Sequence, residues 1–401
     1  MNLLRRRWLR GFVAVAAASL AVLGISQVTS SATTKAQATI TLTEMDYYST
    51  AAQTSMIASY IKEFEAANPG VTIQATHVPF SDLDTKLLTD ASAHDLPNIL
   101  AVDNPFVPDM IATGQMLPLS GFAGFTTSGY YPAVMNEGLS GGKYYTYPVG
   151  ANSIALFYNI KMLKAAHVSP PKTWAQLLTA AKKLTTKTRY GVALTAEAAE
   201  DCTWQWEPFF WSNGGNFSSI ASAPGVQALS LWTQLVTAGS ASKAALSWSQ
   251  TPDVTDQFLH GQTAMMFNGP WNFAALNAQG WYYGKQFGIV SIPVREAGQK
   301  VAVPLGGEDW MISNSGSSAQ QQMAFKFLQG MQTPSEMLAF VKAFGYLPAK
   351  ISVAATFLKE EGPEWSVFIK QTLTAHPRTL GLGVKYTKIS EDVWTAILSC
   401  R

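Results

Sequence analysis

The sequence predicts an α/β fold in two lobes, and three observations predict it. Strand-like and helical segments alternate from Thr39 to Val102, and the alternation resumes after Pro170, the pattern of helices packed on a mostly parallel sheet. The chain of 401 residues, 47% hydrophobic and only 13% charged, carries apolar material for two ordinary cores. Between the halves, Tyr147-Pro148-Val149-Gly150-Ala151-Asn152-Ser153-Ile154-Ala155-Leu156-Phe157-Tyr158-Asn159 reads as a strand running straight through instead of a flexible tether. Lobes joined by strands suggest a hinge.

The first 38 residues read as an export signal. Arg5, Arg6, Arg7 and Arg10 precede an apolar run from Gly11 to Ile25, and small residues end in Ala36-Gln37-Ala38, so cleavage after Ala38 is expected. The run is short for a bilayer span. An uncleaved anchor is the alternative, and the export route, general or twin-arginine, stays open. No cysteine follows the run where a lipoprotein would need one. The expected location is therefore extracytoplasmic after cleavage. Residues 1–38 hold five cations and no acid; without them 23 basic residues face 26 acidic ones, a net charge of −3. No dense basic stripe remains, which argues against nucleic acid as a partner. Cys202 and Cys400 could pair in an oxidising compartment, but a buried thiol and a terminal one is the simpler reading.

The elements follow in order. Thr39–Leu42 alternates like a strand. Ile57, Tyr60, Ile61 and Phe64 share one face of a helix expected over Met56–Ala67, stopped by Asn68-Pro69-Gly70. Val71–Val78 is a strand, Asp82–Ala93 a helix with Ser81 as N-cap, and Asn98–Val102 a short buried strand. Helices are expected over Trp174–Leu184 and Gln227–Val236, with strands at Tyr190–Leu194 and Thr263–Phe267. Thr333-Pro334-Ser335-Glu336 announces a further helix by a capping box with proline in the first turn. The final helix is expected over Ser390–Leu398.

Chemistry finds little support. His77, His94, His167, His260 and His376 are scattered, with no metal-ligand spacing. Neither a nucleophile elbow nor a phosphate-binding loop occurs. Three S-x-x-K matches lack their companion motifs. A glycosidase needs two facing carboxylates, to which Glu308, Asp309 or Glu207 could contribute, but neighbouring acids are more often solvated or capping. The expectation is a binding protein without catalytic residues, metal or cofactor.

Aromatic residues cluster where no simple core period explains them: Trp204, Trp206, Phe209, Phe210 and Trp211, then Trp271 and Trp310. Sugars offer flat C–H faces that rings can cover and hydroxyls that carboxylates and amides can bind. Trp204 or Trp206 taken alone, and Phe209 and Phe210, read as core. Asn268-Gly269-Pro270-Trp271 after Thr263–Phe267, Gly306-Gly307-Glu308-Asp309-Trp310, and Gly345-Tyr346-Leu347-Pro348-Ala349 occur in a recognisable order. With Asp95-Leu96-Pro97, Gly114–Leu119 and Tyr158-Asn159, they resemble the extracellular solute-binding proteins (family 1) of ATP-binding-cassette importers, of the maltose, trehalose and multiple-sugar type.

The resemblance implies a type II periplasmic-binding-protein-like clamp: two α/β lobes joined by three crossings, with the ligand cleft between them. It implies lobes of 39–150 plus 268–308 and 151–267 plus 309–401, and crossings near 149–153, 264–268 and 308–313. It places ligand contacts at Asp103, Asn104, Trp271, Gly307, Glu308 and Trp310. Trp211 or Trp206 would supply a stacking platform from the second lobe, with Tyr47 and Arg378 as lesser candidates. Asp103 ends a strand, where α/β sheets place their sites. The implied partners are a saccharide and the permease's transmembrane subunits with their cytoplasmic ATPase, the protein itself being a monomer. Rival readings are iron binding through the pairs Tyr47-Tyr48, Tyr130-Tyr131, Tyr144-Tyr145 and Tyr282-Tyr283, a secreted glycosidase, and a sensor domain without an importer.

Overall fold

The computed structural model describes residues 39–399, residue 373 excepted; the expected export signal and Cys400 lie outside the described residues. The first lobe is built on a five-stranded sheet in the order Val71–His77, Ile40–Asp46, Ile99–Asp103, Glu308–Ile312, Thr146–Pro148. Its first three strands are parallel, and Glu308–Ile312 runs antiparallel to both of its neighbours. Side chains alternate across the sheet. Leu42, Trp310 and Ile312 face the helix Ala51–Ala67 with its Ile57, Tyr60 and Phe64, while Val102 and Met311 face Leu83 and Leu87 of the helix Phe80–Ala93. That helix starts two residues earlier than expected, capped by Pro79 without a side-chain hydrogen bond, so Ser81 lies inside it and is not the cap.

The second lobe holds an antiparallel sheet, Phe287–Val290, Ala155–Asn159 and Met265–Asn268. Tyr190 and Ala193 touch its edge only through isolated bridges to Thr263 and Met266, so no strand forms at 190–194. Around this sheet pack the helices Trp174–Leu184, Glu200–Ser212 and Ala223–Thr237, through Leu177, Ala181, Phe209, Trp232 and Phe267. Thr173 caps the first of these by accepting from Gln176 N–H, as its sequence position favours.

Pairing corrects the expected lobe boundaries. Residues 268–290 stay with the second sheet because Met265–Asn268 and Phe287–Val290 flank Ala155–Asn159. Glu308–Ile312 belongs to the first, with the helices Ser318–Met331 and Pro334–Phe344 behind it. The segments passing between the sheets lie side by side. Asn152 and Gly306 exchange backbone hydrogen bonds of 2.8 and 3.0 Å, and Leu347–Pro348 pairs with Gly150–Ala151. The crossings are thus near 149–154, 304–307 and 345–350, not at 264–268 and 308–313.

Candidate functional site

Where these crossings meet the C-terminal ends of the first-lobe strands lies a cavity of about 550 Å³, within the ~300–1,000 Å³ of small-molecule sites. The first lobe contributes Tyr47 and Tyr48, just past Ile40–Asp46, and Asp103, at the end of Ile99–Asp103. The crossings contribute Asn152 and Gly307, and the first-lobe strand that follows the second of them contributes Glu308. The second lobe contributes Glu200, Asp201 and Trp204, from the first turns of one helix, and Trp271 after the Gly-Pro turn. Acidic residues in a helix's first turn also meet the positive end of its dipole.

Arg378 forms the floor. Its side chain is 2% exposed, and Nη1 donates to Asp103 Oδ2 at 2.9 Å and to Glu200 Oε1 at 2.7 Å. Nη2 donates to Asp103 Oδ1 and Asn104 Oδ1. The guanidinium plane covers the Trp204 ring at 4.7 Å, a cation–π distance. Arg378 thereby connects the first-lobe strand end with the second-lobe helix. Burial raises Glu200 while Arg378 pulls it back down, and Tyr386 and Ser390 donate to the same carboxylate.

The wall opposite is acidic and aromatic. Tyr47 donates its hydroxyl to Glu308 Oε1 and its ring meets Phe80 edge-on at 4.9 Å. Burial pushes Glu308 up to about 8, although the neighbouring hydroxyls of Tyr346 and Tyr47 pull it back down. Asp201 is raised well above its ordinary value, first by burial and then by the neighbouring Glu197. Burial disfavours the charged form of both groups. Trp204 and Trp271 lie 6.4 Å apart, tilted by 46°.

Of the residues singled out from sequence, Tyr47, Asp103, Trp271, Gly307, Glu308 and Arg378 line this cavity. Four do not. Asn104 is buried beneath it, donating to Leu305 O at 3.1 Å and accepting from Arg378. Trp310 is fully buried, with Tyr48 and Phe327 beside it; it shares the face of Glu308 but lies one strand repeat deeper in the core. Trp206 stacks on Phe210 at 4.8 Å, one helical turn on, and Trp211 packs against Phe217 and His376. The ring that the second-lobe helix offers to the cavity is Trp204, for which the sequence taken alone favours a core position. The spacing of Asp201 and Trp204, three apart on one helical face, was the available signal. Asn152 was also missed, although it sits in the crossing run itself.

Among the described residues, no group of three or more His, Cys, Asp or Glu could hold a metal ion. Tyr47-Tyr48 lines the cavity, whereas the other three adjacent tyrosine pairs do not. Cys202 is a buried free thiol, pushed up by burial. No helix among the described residues is long and apolar enough to cross a membrane.

Residues 59–366 match the family described as bacterial extracellular solute-binding protein. The maltodextrin-binding protein MdxE of Bacillus subtilis is 23% identical over 387 residues, covering 92% of this chain and 87% of that protein. Among solved structures, the GacH receptor of Streptomyces glaucescens superposes with a TM-score of 0.76 at 22% identity, over 91% of this chain and 95% of that one. A solute-binding protein of an ABC transporter from Thermotoga lettingae, bound with α-D-tagatose, gives 0.79 at 24%, over 90% and 93%. This two-lobed α/β chain belongs to the bacterial extracellular solute-binding proteins.

Proposed function

We propose that this chain captures a saccharide between its lobes and presents it, chemically unchanged, to the transmembrane subunits of an ATP-binding-cassette importer on the outer side of the membrane. The observation that carries the reading is the pairing of rings with unpartnered acceptors in one cavity. Trp204 and Trp271 offer faces to sugar C–H groups, and Asn152 Oδ1, Asp201 Oδ1 and Glu308 Oε2 are buried there without hydrogen-bond partners. Buried acceptors are costly unless something donates to them, and sugar hydroxyls are suitable donors. The maltodextrin named for the Bacillus subtilis relative and the tagatose of the Thermotoga lettingae structure support the same ligand class.

Because both lobes line the cavity, ligand contacts on both sides exist together only when the lobes are closed, so the ligand shifts the population toward the closed form. The permease then reads that closed shape. Thermal unfolding of the chain from Thr39, with a panel of mono-, di- and oligosaccharides, tests this: a ligand at a hundredfold excess over Kd stabilises by about 2.7 kcal/mol. A shift with one saccharide that Trp271→Ala removes supports the reading. No shift with any saccharide sinks it.

A further inference from the structure

The acids of the cavity outnumber its cations. Arg378 is engaged by Asp103 and Glu200, and His77 pairs with Asp46 at 2.6 Å. Glu197, Asp201 and Glu308 also line the cavity, and none of them has an ion pair. Asp201 is 5% exposed, and its Oδ1 is buried without a hydrogen-bond partner, with Glu197 as the neighbouring acid that raises it further. Its other oxygen accepts from Gln250 N–H at 2.9 Å, which fixes the carboxyl in place. Glu308, at 7% exposed, keeps Oε2 unpartnered, and Asn152, at 5%, keeps Oδ1 unpartnered. Three rigid elements therefore aim acceptors into one space.

Resting on the saccharide reading above, we propose that the cavity selects a saccharide bearing a protonated amine, with the Glu197–Asp201 pair as its counter-ion and Asn152 and Glu308 accepting from neighbouring hydroxyls. A hydroxyl offers one donor, whereas an ammonium offers three and a full charge, and its bonds to a carboxylate are roughly twice as strong as neutral ones. An ammonium beside the two carboxyls compensates the charge that burial disfavours, so binding favours their ionised form and is coupled to proton release. Burial raises both groups, so proton release on binding is the expected signature. A ligand carboxylate or phosphate would meet acceptors and is refused.

The experiment compares matched probes on the chain from Thr39, by thermal unfolding and by titration calorimetry in two buffers of different ionisation heat. The probes are glucose, glucosamine and glucuronate, and the trimers cellotriose and its glucosamine counterpart. The amine-bearing member binds at least about tenfold more tightly than its hydroxyl partner, releases protons, and loses most of that margin in Asp201→Asn. Glucuronate gives no shift. Equal or weaker binding of the amine, where a neutral saccharide binds, overturns the inference and leaves the saccharide reading standing. Putrescine stabilising as well as the amino sugars removes the saccharide from both readings. No response to any probe or to the neutral panel overturns both.

Discussion

The guanidinium of Arg378 lies over the ring of Trp204, 4.7 Å from its centre, while its edge holds Asp103 and Glu200. One side chain thus orients the second-lobe ring and neutralises carboxylates from both lobes. Removing one partner of a buried ion pair typically costs about 3–5 kcal/mol because the other charge is left uncompensated. Arg378→Met is expected to cost that much in urea unfolding. Arg378→Lys is intermediate, since an ammonium keeps the charge but cannot reproduce the planar fork. Adding Asp103→Asn to Arg378→Met should cost less than the two changes summed. Additivity of the pair would show that the bonds contribute nothing mutual.

Trp204 and Trp206 are separated by one residue and by their roles. Trp204 faces the cavity, and Trp206 stacks on Phe210 inside the second lobe. Trp206→Ala is predicted to cost about 3–5 kcal/mol of stability while the remaining folded protein still gains its usual stabilisation from ligand. Trp204→Ala should weaken ligand binding by at least about 2 kcal/mol, as truncation of a central ring does. Ligand-induced shifts measured against each variant's own unliganded midpoint distinguish the two, and an unchanged shift in Trp204→Ala removes it from the site.

How far the sequence could reveal this site follows from the physics of each element. The crossing run at 147–159 was legible because it stays apolar and extended where a tether would be polar. The helix Pro334–Phe344 was legible from its cap, where Thr333 accepts from Glu336 N–H. Asp103 was legible as a strand end. The helix Glu200–Ser212 was not, because it is enclosed on nearly every side and such a helix shows no amphipathic period. That concealed which of its tryptophans faces the cavity. The placement of 268–308 failed for another reason: which sheet a strand joins depends on pairing between distant segments, here 265–268 with 155–159, and no local pattern encodes it.

Gly345 ends the helix Pro334–Phe344 with φ +74°, and a Cβ there would stand 2.4 Å from Trp271 Cα and 2.5 Å from Pro270 O. Both the left-handed backbone and the close approach require glycine. Gly345→Ala is predicted to exceed the ~1–2 kcal/mol cost of placing a side chain in that conformation, since backbone must move as well. The displaced backbone carries Trp271, so saccharide binding should weaken in the same variant. Full affinity with lowered stability would show that the strain is absorbed away from the cavity.

Burial raises Glu308 to about 8, Glu137 to about 8 and Asp309 to about 7. In the unfolded chain these carboxyls titrate near pH 4. Between the two values the folded protein binds more protons than the unfolded one, so stability falls as pH rises, by about 1.4 kcal/mol per pH unit for each such group. The unliganded chain is therefore predicted to be more stable near pH 5 than near pH 8, the reverse of a protein whose acids are held ionised by cations. Glu308→Gln keeps the shape and remains neutral throughout, so it should flatten that slope by the share of one group. Urea unfolding at several pH values reads both effects. A variant slope identical to that of the parent would mean that Glu308 is ionised in the folded protein across the whole range, and the uncompensated acid wall of the cavity would have to be redrawn.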